Sequence, residues 1–183
     1  MSEVPPAAAS SPAEVQPAEE PTGIVVGVDG SPLSIEALRW ARRLAPSVGG
    51  PITALSAWQY PATWAMGAYP TLDWSPEADA KEALERALQE AFGADRPAGL
   101  TAEAVAGSAA HVLVEKSRKA TLLIVGSRGL GGFMGLLLGS VSAACAEHAV
   151  CPVLVLHGTE HEARPVVSVP GAAGDQREGN DRK

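Results

Sequence analysis

The sequence predicts an α/β fold: a doubly wound, five-stranded parallel sheet of order 3-2-1-4-5, with helices on both faces. Three observations carry this. Short apolar runs such as residues 24–28 (IVVGV) are continuous, not alternating, which marks strands buried on both faces. Five strand segments, of which 101–106 alternates weakly, are interleaved with segments of helical period, the pattern that winds helices onto both sides of a parallel sheet. The first and fourth runs empty into turn sequences, Asp29-Gly30-Ser31-Pro32 and a glycine-rich stretch. Open parallel sheets place ligands there, beyond the carboxyl ends of the strands.

Composition bounds the rest. The 183 residues make one domain, and 46% hydrophobic content supports a core. A net charge of −7 and a pI near 5.1 argue against a nucleic-acid partner, which calls for a basic face. The charge is uneven: residues 1–21 hold four acids and no base, whereas residues 22–157 hold 12 acids and 10 bases. Residues 1–21, with five prolines and little to bury, read as a disordered tail. Residues 158–183 read as a second. The folded domain is then 22–157. No basic flank or apolar h-region marks a secretory signal, and two cysteines are too few for a disulfide framework. The expectation is a soluble, cytoplasmic protein.

In order, strand 1 covers residues 24–28. Asp29 follows it and admits two roles: accepting from a ligand's ribose hydroxyl or adenine amine, or starting the next helix with Ser31 and Pro32. That helix covers 33–45, with Leu33, Ala37, Ala41, Leu44 and Ala45 on one face. Arg39, Arg42 and Arg43 form its solvated side. Strand 2 spans 51–58. The loop 59–74 carries Tyr60, Trp64, Tyr69 and Trp74 and is long for a compact domain. Its aromatics suit a cover for the sheet better than a lid over a ligand. Ser75-Pro76-Glu77 opens a helix to Phe92. Strand 3 covers 101–106, and Gly107-Ser108 opens the next helix, on which His111 is a face or capping residue. Strand 4 covers 121–125. The last helix begins at Ser140, and strand 5 covers 153–157. Cys145, His148 and Cys151 lack the fourth ligand that a zinc site needs and read as buried thiols and a helix-end histidine.

The glycine stretch after strand 4 organises the chain. Six of the 19 glycines fall at 126, 129, 131, 132, 135 and 139. Glycine weakens helix and strand interiors, so the cluster needs a reason. A strand, a glycine loop and a helix opening at Gly139-Ser140 make a phosphate cradle, with loop amides and a positive helix end as donors. Arg128 either pairs with phosphate oxygens or is a solvated loop residue. Neither GxxxxGK[ST] nor GxGxxG is present. The 18 residues 129–146 lack Asp, Glu, Lys and Arg, but their glycines and serines make a poor membrane helix.

Gly126-x2-Gly129-x9-Gly139-Ser140, with IVVGVDGS at the start, GSAAHVLVE in the middle and HAVCPVLVLH at the end, resembles the universal stress proteins over residues 22–157. The resemblance implies binding of an adenine nucleotide, ATP with Mg2+, with Asp29 against the nucleotide and Ala57 against adenine. It implies pocket positions at Gly27 and Gly107, and a phosphate site of Gly126, Ser127, Arg128, Gly129, Leu130, Gly131, Gly132, Gly139, Ser140, Val141 and Ser142, whose amides and hydroxyls hold the ligand. It also implies a homodimer through the edge strand Val153 to His157. No residue reads as a general base and no P-loop lysine is present, so the expected role is binding, with at most slow hydrolysis. The alternative is a dimeric adaptor for a protein partner without functional nucleotide binding.

Overall fold

A computed structural model describes residues 22–61, 74–130 and 138–158. The order is β1 (Ile24–Gly27), α1 (Pro32–Val48), β2 (Ile52–Trp58), α2 (Pro76–Phe92), β3 (Leu100–Ala106), α3 (Ala109–Ser117), β4 (Leu122–Gly126), α4 (Ser140–His148) and β5 (Val153–Leu156). All pairings are parallel and the sheet order is β3-β2-β1-β4-β5. The expected doubly wound sheet is therefore the observed one. Its strand order reverses between β1 and β4, the switch point where such sheets open a crevice.

Alternate strand residues point to opposite faces, and both faces are covered. Ile24, Val26, Ile52, Ala54 and Ile124 pack under α1 and α2 with Leu38, Ala41, Leu84 and Leu88. Val25, Leu55, Leu123 and Val125 pack under α3 and α4 with Val112, Leu113 and Cys145. Each fully buried Leu or Ile contributes on the order of 1.5–3 kcal/mol, so the two layers hold the sheet from both sides.

The helix starts follow local chemistry. Ser31 Oγ accepts from the Ser34 N–H at 3.3 Å, with Pro32 opening α1. Ser75 Oγ accepts from the Ala78 N–H at 3.2 Å ahead of Pro76. Helix α1 runs a turn further than its periodicity predicts, through Pro46 to Val48. Its buried face is centred on Ile35, Ala37, Leu38 and Ala41, while Leu33 and Leu44 lie at the margin. The arginines of α1 are paired: Arg39 and Arg43 with Glu36, and Arg42 with Asp95 beyond α2.

Most of the predicted aromatic loop lies outside the described residues, including Trp64 and Tyr69. At its two ends the described aromatics Tyr60 and Trp74 make contacts with neighbouring elements. Trp58 and Tyr60 meet edge to face at 5.7 Å. Trp74 Nε1 donates to Asp79 Oδ2 at 2.7 Å, on the first turn of α2. Among the described residues, no helix is long and apolar enough to cross a membrane.

Candidate functional site

Beyond the carboxyl ends of β1, β2 and β4 the chain encloses a cavity of about 470 Å³. One end is apolar. Gly27 and Val28 from β1 and its exit, Leu55 and Ala57 from β2, Ala109 and Leu113 from α3, and Val125 from β4 line it. The other end is polar and is built from Gly126 to Leu130 and from Gly139 to Ser142. The described lining residues carry one acid, Asp29, and one base, Arg128.

Ladder parity explains the character of Ala57. The Val28 N–H donates to Leu55 O at 2.8 Å, toward β1, and the Gly107 N–H donates to Trp58 O at 2.7 Å, toward β3. Backbone groups of a strand point to alternate sides, so Ala57 shares the Leu55 side. There the chain of β1 has already turned away into α1. The N–H and C=O of Ala57 face the crevice, one donor and one acceptor.

The polar end is drawn together by backbone. The Gly139 N–H donates to Ser127 O at 2.7 Å and closes the loop between β4 and α4. Ser127 is 1% exposed, and its own N–H donates to Leu156 O of β5 at 2.7 Å. Helix α4 then begins with Gly139 as its cap and no capping side chain. Its first intrahelical bond runs from the Ala143 N–H to Gly139 O at 2.9 Å. The N–H groups of Ser140, Val141 and Ser142 have no acceptor within the helix and stand at the positive end of its dipole. All three residues line the cavity.

The structure brings Gly27, Asp29, Ala57, Gly126, Ser127, Arg128, Gly129, Leu130, Gly139, Ser140, Val141 and Ser142 to this cavity. Gly131 and Gly132 lie outside the described residues. Gly107 is not among the lining residues. It turns β3 into α3 with φ of 136°, and a Cβ there would stand 2.9 Å from Val112 Cγ2, which is reason enough for glycine. The hydroxyl of Ser142 also departs from expectation. It lies 2.7 Å from Ser127 O and 3.0 Å from Gly139 O, on a side chain 2% exposed. Its single proton is spent on the loop, so Ser142 offers the cavity its N–H and not its hydroxyl.

Sequence reasoning passed over Val28, Ser31, Ser34, Leu55, Ala109, Leu113 and Val125, which also line the cavity. Strand parity was the available signal for one of them: Leu55 lies two residues before Ala57 and so shares its face.

The two cysteines lie in the apolar layer under α3 and α4, Cys145 fully buried and Cys151 partly so. Burial pushes the Cys145 thiol up from its ordinary 9.0 to about 11, and Cys151 adds to this. Burial raises Cys151 as well. Neither is a ready thiolate. Among the described residues, no three His, Cys, Asp or Glu side chains converge on a metal position.

These features define a class: a doubly wound α/β protein with its crevice at the switch point and an uncapped helix N-terminus aimed into it. Within that class the chain belongs to the universal stress protein family, whose family model matches residues 22–157. It is 34% identical over 166 residues to universal stress protein Rv2623 of Mycobacterium tuberculosis H37Rv, covering 84% of this chain and 56% of that one. The chain thus spans about half the length of this curated relative. Among solved structures, it is similar to universal stress protein UspA from Lactobacillus plantarum, with TM-score 0.58 and 22% identity, covering 76% of this chain and 99% of that one. It is also similar to a universal stress protein solved in complex with cAMP, with TM-score 0.47 and 28% identity, covering 74% of this chain and 96% of that one.

Proposed function

We propose that this protein binds an adenine nucleotide, ATP accompanied by Mg2+, in the switch-point cavity, as a cytoplasmic regulator and not as an efficient enzyme. One observation carries the reading: the N–H groups of Ser140, Val141 and Ser142, which have no acceptor within their helix, and the apolar residues around Ala57 line one and the same cavity. Phosphates suit the helix end, because its N–H groups and dipole favour anions. A flat base suits the apolar part, where a methyl side chain leaves room and the Ala57 backbone supplies one donor and one acceptor.

The site fits magnesium only as a companion of the phosphates. Asp29 is the sole carboxylate among the described lining residues, and both its oxygens already accept backbone N–H groups. Phosphate oxygens and water would supply the remaining ligands, as magnesium prefers. For the same reason no described carboxylate or histidine of the lining serves as a general base. Hydrolysis, where it occurs, is slow.

The protein assembles as a homodimer through β5. This strand lies at the sheet edge, and its four residues, Val-Leu-Val-Leu, are all half-buried in the single chain. An apolar edge with an unpaired row of backbone groups invites a second strand. The same edge supports the second reading, a dimeric adaptor in which nucleotide plays no part.

Calorimetric titration of magnesium-ATP into nucleotide-stripped protein separates the two. Gly139 has φ of −78°, so any residue fits its backbone. A Cβ there would lie 3.4 Å from Ser127 O, and because Gly139 lines the cavity, an indole at this position is bulk added to the cavity wall. Binding in the micromolar range that Gly139→Trp abolishes is the expected result. No heat at millimolar ATP sinks the nucleotide reading and leaves the adaptor.

A further inference from the structure

Asp29 does something in this structure that a nucleotide contact does not require. Its Oδ1 accepts the N–H of Ser31 at 3.0 Å, two residues on, and its Oδ2 accepts the N–H of Leu130 at 2.9 Å, 101 residues away. The carboxylate therefore bridges the exit of β1 to the rising limb of the glycine loop. Gly129 is shaped to this bridge, since a Cβ there would stand 2.2 Å from Asp29 Oδ2. Any side chain at 129 would push the carboxylate and the loop apart. Leu130 itself is 74% exposed, so side-chain burial does not hold this limb.

We infer that Asp29 is a positioning residue for the phosphate end of the cavity: it fixes the glycine loop, through the Leu130 N–H, in the place where anions bind. The inference rests on the nucleotide reading for its consequence but not for its geometry. Residues 126–130, held from both sides, present their amides without further ordering, and preorganisation of that kind raises affinity by removing the entropy cost of binding. The far side is already closed by the Gly139 N–H and the Ser142 hydroxyl on Ser127 O. Asp29 closes the near side.

The sign of one measurement decides between positioning and contact. Inorganic tripolyphosphate has no sugar and no base. A carboxylate that merely touches ribose is irrelevant to it, and a nearby negative charge repels it. Asp29→Asn should therefore leave tripolyphosphate binding unchanged or strengthen it if Asp29 acts as contact and charge alone. If Asp29 positions the loop, Asp29→Asn weakens tripolyphosphate binding about tenfold, the scale of one charge-assisted hydrogen bond.

The test pairs that titration with the solvent-exchange rate of the Leu130 amide, read by NMR on ligand-free protein. Asp29 is exposed, and melting curves establish that each variant is folded. Expected are about tenfold faster exchange at Leu130 in Asp29→Asn and weaker tripolyphosphate binding, with Gly129→Ala giving both effects while keeping the carboxylate. Unchanged exchange at Leu130 in both folded variants overturns the inference, as does faster exchange with tighter tripolyphosphate binding. If the wild type binds neither ATP nor tripolyphosphate yet exchange rises in both variants, the nucleotide reading fails and the tie from Asp29 to the loop stands.

Discussion

At Gly126 the end of β4 passes so close to α1 that a Cβ would stand 2.8 Å from Leu33 Cβ and 3.2 Å from Arg128 O. Neither neighbour is the free end of a flexible chain. Gly126→Ala therefore overpacks a junction between sheet, helix and loop, and should cost about 1–3 kcal/mol in urea unfolding. An unchanged midpoint would show that α1 can retreat at no cost. Cys145 gives a second prediction at this scale. Its thiol ionises near 9.0 when free and at about 11 in the fold, so the native state holds its proton longer. Between these values the unfolded state binds fewer protons, and stability falls as pH rises. Its contribution is full below pH 9 and is lost by about pH 11, on the order of 2 kcal/mol in all. Cys145→Ala should flatten the loss over that window, measured as chemical stability against pH. A slope identical to wild type would assign the alkaline loss elsewhere.

At the scale of elements, sequence and structure agree where local rules dominate. Apolar runs marked the central strands, weak alternation marked β3, and Ser-Pro pairs gave the starts of α1 and α2, because strand burial and helix capping act within a few residues. The site was legible through the spacing of Gly126, Gly129, Gly139 and Ser140. Its internal bonds were not. The tie of Asp29 to Leu130 spans 101 residues and that of Ser142 to Ser127 spans 15, and nothing local to either residue announces its partner. Gly107, for which the resemblance implied a pocket position, meets a local demand for positive φ instead and is not among the lining residues. Strand β5 carries the element-scale prediction. The Leu123 N–H donates to Pro152 O and the Ser127 N–H to Leu156 O, so even-numbered residues of β5 face β4 and the Val155 N–H points off the edge. Val155→Pro keeps the ladder to β4, removes that N–H and blocks pairing with a second copy. If β5 is the dimer edge as proposed, sedimentation should find a dimer for the wild type and a folded monomer for this variant. A variant that still dimerises through the usual mass range would move the interface away from this edge.

Taken whole, the molecule separates its two proposed surfaces. The cavity is lined from β1, β2, β4, α3, the glycine loop and the start of α4, and no residue of β5 lines it. The β4–β5 ladder joins them, since the lining residues Val125 and Gly126 pair with Val155 and Leu156, and Ser127, at the root of the glycine loop, extends it by donating its N–H to Leu156 O. That bond belongs to the ladder within one chain and does not need a second copy. The monomeric Val155→Pro variant should therefore bind magnesium-ATP with affinity within about twofold of wild type, since sites without shared partners behave independently to within a few tenths of a kcal/mol. Calorimetry on the two proteins at equal chain concentration measures this directly. A loss of tenfold or more would mean that docking a second β5 braces the Leu156 carbonyl and, through Ser127, the root of the loop. Dimer and ligand would then be linked, and by reciprocity ATP would tighten the dimer by the same factor, which sedimentation of the wild type with and without nucleotide would reveal.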